Sequence, residues 1–224
     1  RELLEALHLV GKKIVFVNFS GSAIGLVPEV ENCDAILQAW YPGQEGGTAI
    51  ADVLFGKTSP SGKLPVTFYK SVDQLPEFDN YDMAGRTYRF MTEEPMFPFG
   101  FGLSYTTFEY GKATVSKSSM KANETLTVTV PVTNTGKVDG AEVVQLYIQD
   151  QEASVDRPVK ELKGFQKVTV PAGKTVNVTF TIAKDALSFF DAAKHDWVAE
   201  PGMFTAHVAA SSADIRSSVD FELK

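Results

Sequence analysis

Cysteine is almost absent. A single Cys33 leaves no internal disulfide to form, so a cross-linked scaffold is excluded. The compartment stays open, because exported proteins also exist without disulfides. Basic charge is in short supply too: 21 Lys and Arg stand against 28 Asp and Glu, a net charge of -7. Nucleic-acid binding rests on clustered cations meeting phosphates, so this balance argues against that class of partner. No apolar run approaches the ~20 residues that cross a bilayer, so no membrane span is expected. Histidine is confined to His8, His195 and His207. They are far apart and lack metal-ligand spacing, so no metal and no other cofactor is expected. The beginning of the chain lacks a Met and a signal peptide. Instead Arg1 to Val10 reads as a running helix, with Leu3, Leu4, Leu7 and Val10 at helical spacing. A chain that opens in mid-helix is expected to be a piece of a longer one.

What is present is ordinary globular material, 44% hydrophobic and 22% charged over 224 residues. That suits one large domain or two of roughly 100 residues each. The chain changes character near residues 100–112. Before that point, helix and strand signals alternate. Ile14-Val15-Phe16-Val17-Asn18-Phe19 is a short apolar run that suits a buried parallel strand. Residues 34–40 predict a second strand. Ile50, Val53 and Leu54 share a helical face, and Gly56 stands where a left-handed helix end is wanted. Leu64-Pro65-Val66-Thr67-Phe68 predicts a short strand, placed by Pro65 at an edge or a strand start. Strand–helix–strand order of this kind predicts an open α/β sheet. Residues 69–110 are aromatic, Gly- and Pro-rich and irregular, which predicts an ordered interdomain strap rather than a free linker. Residues 111–224 alternate with period two, as in Leu126–Val132, Val143–Ile148, Val176–Ile182, Phe204–Val208 and Val219–Leu223. About seven short strands over such a length predict an immunoglobulin-like β-sandwich. The expected division is therefore 1–68, an α/β portion; 69–110, the strap; and 111–224, the sandwich.

Several residues invite a chemical role, and most are better read structurally. Glu45 sits in a Gly-flanked loop at a helix N-terminus, where the dipole favours the charged form. A general acid at neutral pH needs the opposite, so Glu45 is expected to cap the helix and shape the turn. Asp79, Asp82, Arg86 and Arg89 crowd one loop with Tyr81 and Tyr88. This palette serves a sugar cleft and an interdomain salt bridge alike. The interface role is favoured, with Arg86 or Arg89 buried at a domain boundary on a carboxylate. Trp40 and Tyr41 are expected to pack rather than to form a stacking platform, and Trp197, in an alternating strand, is expected in the core. Phe99-Gly100-Phe101-Gly102 lacks the Lys and the strand–loop–helix setting of a phosphate loop. Ser20 follows a strand, but the Gly-x-Ser-x-Gly pattern and a paired His are lacking.

Longer words are more specific. Tyr41-Pro-Gly-Gln-Glu-Gly-Gly-Thr-Ala-Ile-Ala-Asp-Val-Leu-Phe-Gly-Lys-Thr-Ser-Pro-Ser-Gly-Lys-Leu-Pro-Val-Thr-Phe68 resembles the C-terminal α/β domain of family 3 glycoside hydrolases. Gly85–Phe90 and Phe97–Thr106 resemble the segment that joins this domain to its successor. Val130–Gly136, Arg157–Phe165 and Trp197–Gly202 resemble the fibronectin type III-like module that follows in that family. The resemblance covers essentially the whole chain. It implies retaining hydrolysis of terminal β-glucosides or β-xylosides, hence a β-glycoside or oligosaccharide substrate, and a periplasmic or extracellular bacterial setting. Retention needs two carboxyl groups about 5–5.5 Å apart. In the family the nucleophilic Asp lies in an N-terminal barrel and the acid/base Glu lies upstream of this chain's first helix. Neither position has a counterpart here, so no catalytic residue is expected, the substrate-binding residues are left open, and an N-terminal barrel domain is the implied partner.

Overall fold

The computed structural model describes residues 2–224; Arg1, where the expected first helix opens, lies outside the described residues. The α/β portion runs α1 (Glu2–Leu9), β1 (Val15–Asn18), α2 (Val27–Asn32), β2 (Ala35–Gln38) and α3 (Gly46–Leu54). β1 and β2 pair in parallel with Val15 opposite Ala35. α2 carries Pro28 in its first turn, where the fixed φ of proline suits the helix. α3 ends where the sequence places it: Gly56, at φ +73, donates back to the Val53 carbonyl. Segment 64–68 forms a single bridge, Phe68 to Phe97, rather than a full strand. Its backbone does reach the strap, through Leu64 N to Phe101 O and Gly100 N to Leu64 O, both 2.8 Å. Pro65 and Pro98 each lack an N–H, so the ladder cannot close between these contacts. The buried Phe68 ring anchors the segment edge-on against Trp40 and Phe97.

Segment 69–107 carries only a 3-10 turn at Val72–Gln74 and the four-residue helix α4 (Thr87–Phe90). The sandwich follows as β3 (Phe108–Tyr110), β4 (Thr114–Val115), β5 (Ser119–Met120), β6 (Leu126–Asn134), β7 (Gly140–Asp150), β8 (Glu161–Val170) and β9 (Thr175–Ile182). A short helix α5 (Lys184–Leu187) leads to β10 (Phe189–Asp191), β11 (Asp196–Val198), β12 (Gly202–Ala209) and β13 (Ile215–Leu223). One sheet has the order β5-β13-β12-β7-β8; in the other, β6 carries β3 and β4 on one edge and β9 on the opposite edge.

Alternation makes the core. Val128, Val130 and Val132 of β6 face Leu146, Ile148, Phe204, Val208 and Phe221 across the sandwich, all buried. The residues between them turn outward and pair across strands: Thr129 to Thr179 at 2.9 Å and Thr133 to Thr175 at 2.8 Å. β7 breaks the rule, because Val144 through Ile148 are buried without interruption. The strap explains it by lying across the outer face of β7. Tyr88 meets Tyr147 edge-on at 5.7 Å and stacks on Phe99 at 4.7 Å.

Trp197 corrects the sequence expectation. It lies on β11, which pairs only with β10 in a hairpin standing apart from both sheets. Its side chain is 62% exposed and meets Phe190 edge-on at 5.9 Å. Alternation marks a buried face only where a second layer covers it; here Phe189 and Val198 are half-buried, with the Arg157 guanidinium 5.4 Å over the Phe189 ring, while the face carrying Phe190 and Trp197 is left open.

Candidate functional site

The crowded loop predicted between Asp79 and Arg89 folds as two separate structures. Its first part, with the residues before it from 72 on, bends around an open hollow of about 790 Å³ lined by Val72, Leu75, Phe78, Tyr81 and Arg86 among others. Phe78 and Tyr81 are almost fully exposed on its rim. Arg86 closes this loop on itself, donating to the backbone carbonyls of Asp82 (2.9 Å) and Asn80. Its partners are therefore carbonyls of its own loop, not the Asp79 or Asp82 carboxylates, and it does not cross a boundary.

The second part does cross. Thr87 takes a left-handed φ of +56, rare for a β-branched residue. The Tyr69 hydroxyl and the Thr67 hydroxyl accept from the backbone N–H groups of Thr87 (2.8 Å) and Tyr88 (3.2 Å) and hold the turn. The turn aims Tyr88 and Arg89 at the sandwich. Tyr88 OH accepts from Leu162 N at 3.0 Å, and Arg89 pairs with Glu161. Glu161 also receives Arg157 at 3.1 Å and Lys163 at 3.3 Å. Arg157 is buried and turns its other nitrogen to Asp150 at 2.8 Å and to the Leu187 carbonyl at 3.1 Å. Burial works to raise the Glu161 pKa, but Lys163, Arg157 and Arg89 outweigh it and hold the carboxyl below its ordinary value. The sequence pattern named Arg89 as a candidate; its partner came from a strand 72 residues away, which spacing alone does not reveal.

The remaining candidates are structural. Glu45 stands at the N-cap of α3, but its side chain makes no cap bond; its backbone carbonyl receives Ala49 N at 3.0 Å, and its carboxylate receives the Thr48 hydroxyl at 3.2 Å. Trp40 is half-buried on Phe68, whereas Tyr41 is exposed. Ser20 accepts from Asn18 and Gln38 and donates to the Ser22 carbonyl, with no histidine at hand. His207 bonds Ser218 and Gln149, and His8 meets the Asn32 carbonyl. Among the described residues no group of His, Cys, Asp and Glu is arranged to hold a metal. Every carboxyl group with a displaced pKa is displaced downward: Asp34 and Asp191 by lysine partners, Glu124 by Lys117, Glu200 by the Ser154 hydroxyl, and Glu161 as above. A general acid working near neutrality needs the reverse.

With this geometry in view, the relatives decide the family. The Glycosyl hydrolase family 3 C-terminal domain pattern matches residues 1–105, and the Fibronectin type III-like domain pattern matches residues 142–212. The chain belongs to glycoside hydrolase family 3. A xylan 1,4-beta-xylosidase of Xylanibacter ruminicola is 50% identical over 96% of this chain and 24% of its own length. A periplasmic beta-glucosidase of Salmonella typhimurium is 44% identical over 100% of this chain and 30% of its own. The crystal structure of a family 3 beta-glucosidase from Bifidobacterium adolescentis superimposes with a TM-score of 0.92 at 39% identity, covering 99% of this chain and 34% of that one. The chain thus spans about a quarter to a third of the length of these family 3 relatives. It corresponds to their C-terminal region.

Proposed function

We propose that this chain is the C-terminal part of a retaining β-glycosidase that removes non-reducing terminal β-glucosyl or β-xylosyl residues, with both catalytic carboxylates supplied from outside it. One observation carries the reading: the two family patterns occur in tandem, in the order found at the C-terminal end of relatives named as xylosidases and glucosidases. In this reading residues 1–68 complete the α/β domain, 69–110 form the strap and 111–224 the sandwich, with β3 passing from strap to sandwich. An N-terminal barrel domain is the partner, and the setting is periplasmic or extracellular, as the name of the Salmonella relative suggests for that protein.

The test is release of p-nitrophenol from β-glucoside and β-xyloside substrates by the full-length protein and by the 224-residue chain alone. The full-length protein should turn over with retention of configuration and the chain should be inert. Turnover by the chain, abolished by a point change within it, would overturn the reading.

A second reading has one observation in its favour. Phe190 and Trp197 leave an exposed aromatic pair on the sandwich hairpin, which suits a non-catalytic role in carbohydrate binding. Retention of the isolated sandwich on insoluble xylan or cellulose, lost on Trp197→Ala, would support it; passage through both would remove it.

A further inference from the structure

A cleft of about 570 Å³ opens where the strap crosses the sandwich. Four charged side chains lie in its lining: Asp214 and Arg216 on one side, and Lys63, from the α/β portion, with Glu142, on β7, as a second pair. Lys63 and Glu142 are only 11% and 6% exposed and stand 3.2 Å apart. Glu142 Oε1 takes both available donors, Lys63 Nζ at 3.2 Å and Tyr110 OH at 2.9 Å. Glu142 Oε2 accepts from none of the described residues. Lys63 Nζ donates to Glu142 and to the Gly102 carbonyl, which uses two of its three N–H groups. A carboxylate oxygen and an ammonium N–H of a largely buried pair are therefore left with hydrogen-bonding capacity to spare, and the free oxygen is still reached from the cleft. Groups so placed bind a partner strongly when one arrives.

The charge around the cleft cancels. Lys63 is balanced by Glu142, and Arg216 by Asp214 at 2.6 Å. A charged ligand would leave one of these groups without its counter-ion, whereas a neutral ligand disturbs neither pair. The ligand must offer one O–H to Glu142 Oε2 and one lone pair to Lys63 Nζ. Two hydroxyls on adjacent carbons supply both. Phe101, Leu103 and Phe108 give the walls an apolar surface, against which the C–H face of a ring can lie.

We propose that this cleft binds a neutral cyclic vicinal diol, that is, a pyranose. The Tyr110 hydroxyl stays protonated, since burial and then Glu142 push its pKa well up, so it continues to donate to Oε1 and leaves Oε2 to the sugar. The site needs no hydrolysis, and all its residues lie in this chain. It therefore goes beyond the glycosidase reading and does not depend on it.

The test is an NMR titration of the isotopically labelled 224-residue chain with methyl β-D-xylopyranoside and methyl β-D-glucopyranoside. The fully O-methylated xyloside serves as the probe that has the ring but no hydroxyl donors. Saturable shifts are expected at residues 101–104, at Glu142 and at 210–214, with none from the methylated sugar. In Glu142→Gln the amide oxygen stays with Lys63 and Tyr110, so an NH2 replaces the free acceptor. Binding should weaken about tenfold or more, the loss of a hydrogen bond to a charged group. If that variant fails to fold, Leu103→Trp decides the matter: its side chain is 72% exposed on the rim, so the protein should melt as wild type while the bulk closes the cleft and abolishes the shifts. The proposal is overturned if no saturable shifts occur, if they map elsewhere, if the methylated sugar binds equally well, or if the folded variants bind as wild type. A full-length protein without glycosidase activity would count against the function proposed above and leave this result untouched.

Discussion

Arg89, on the short helix of the strap, sets its guanidinium against the carboxylate of Glu161, the first residue of β8. Around it, two more cations and Asp150 complete a network in which Arg157 is buried. The strap is thereby fixed to the sandwich by a directed contact as well as by the stacking of Tyr88 on Phe99.

Arg89→Ala should therefore destabilise the chain more than Arg86→Ala. A fully buried pair that loses one partner costs ~3–5 kcal/mol, and an exposed pair ~0–1 kcal/mol. Arg89 is 39% exposed, and Lys163 and Arg157 continue to hold Glu161, so a loss of about 1–2 kcal/mol is expected. Arg86 binds only carbonyls of its own loop; its removal should loosen residues 80–86 to protease while leaving the unfolding midpoint within about 0.5 kcal/mol of wild type. Urea denaturation of the two variants checks the order, and the reverse order would place the fixed point in the wrong arginine.

A sandwich fragment should begin before residue 108. β3 pairs with β6, Tyr110 opposite Val132, and Phe108 and Tyr110 pack on the core. Just ahead of it, Thr106 Oγ1 donates at 2.6 Å to the buried Asn134. A fragment 106–224 keeps these contacts; 112–224 exposes an edge of β6 and the core beneath two aromatic rings. At ~25 cal/mol per Å² the shorter fragment should lose on the order of 3–5 kcal/mol. Equal melting temperatures for the two fragments would show that β3 contributes nothing.

Much of this was legible in the sequence, for reasons that differ by element. β6 and β9 read correctly because each buries one face and hydrates the other, which writes period two into Val-Thr alternation. α3 and its end read correctly because Gly56 marks the left-handed residue. β8 carries Glu161 and Lys163 at half-buried positions and Gln166 and Lys167 at exposed ones, so its alternation is faint and only pairing with β7 makes it a strand. The expected strand at 64–68 shrank to one bridge because its neighbour on the strap also carries a proline. The exposure of Trp197 was not legible, since a hairpin standing off the sheets has the same local pattern as a core strand. In the candidate loop the residues were identified but not their partners. Arg89 reaches Glu161, and Lys63 reaches Glu142, across 72 and 79 residues.

Protonation of His207 should destabilise the sandwich. Burial first, and then Lys160, push its pKa below the ordinary histidine value, with Asp220 opposing them. The unfolded chain therefore binds the proton more readily than the folded one, and stability must rise with pH across this interval. The contribution is full above the unfolded value of about 6.5 and is lost as pH falls from there toward the folded value. His207→Gln can still reach Ser218 or Gln149 and does not titrate. The melting temperature of wild type should fall more steeply between about pH 7 and pH 5 than that of His207→Gln. Parallel profiles would assign the pH dependence to the carboxyl groups alone.

Gly100 is one of two strap positions, with Gly102, where a side chain meets atoms at about 2 Å. Its φ of +80 lies in the left-handed region, and a Cβ built there would stand 2.1 Å from Gln145 Oε1 and 2.8 Å from its Cδ. Gln145 cannot give way cheaply. Its amide nitrogen donates to the carbonyls of Gly100 (3.0 Å) and Ala210 (2.8 Å), and its oxygen accepts from Tyr147 OH at 2.6 Å. Turning the side chain aside would leave a buried hydroxyl and a carbonyl without partners, about 1–3 kcal/mol for each buried group left unmet. The left-handed backbone adds ~1–2 kcal/mol for any residue with a Cβ. Gly100→Ala should therefore cost about 3 kcal/mol or more, by relief of the clash at the expense of the Gln145 network. Gly173 supplies the control: its φ is +69, and no heavy atom lies within 4 Å of the built Cβ. Gly173→Ala should show the backbone cost alone, about 1–2 kcal/mol. Urea unfolding of both variants separates clash from strain. If Gly100→Ala is no worse than Gly173→Ala, the strap does not rest on Gln145 and the buried face of β7 needs another explanation.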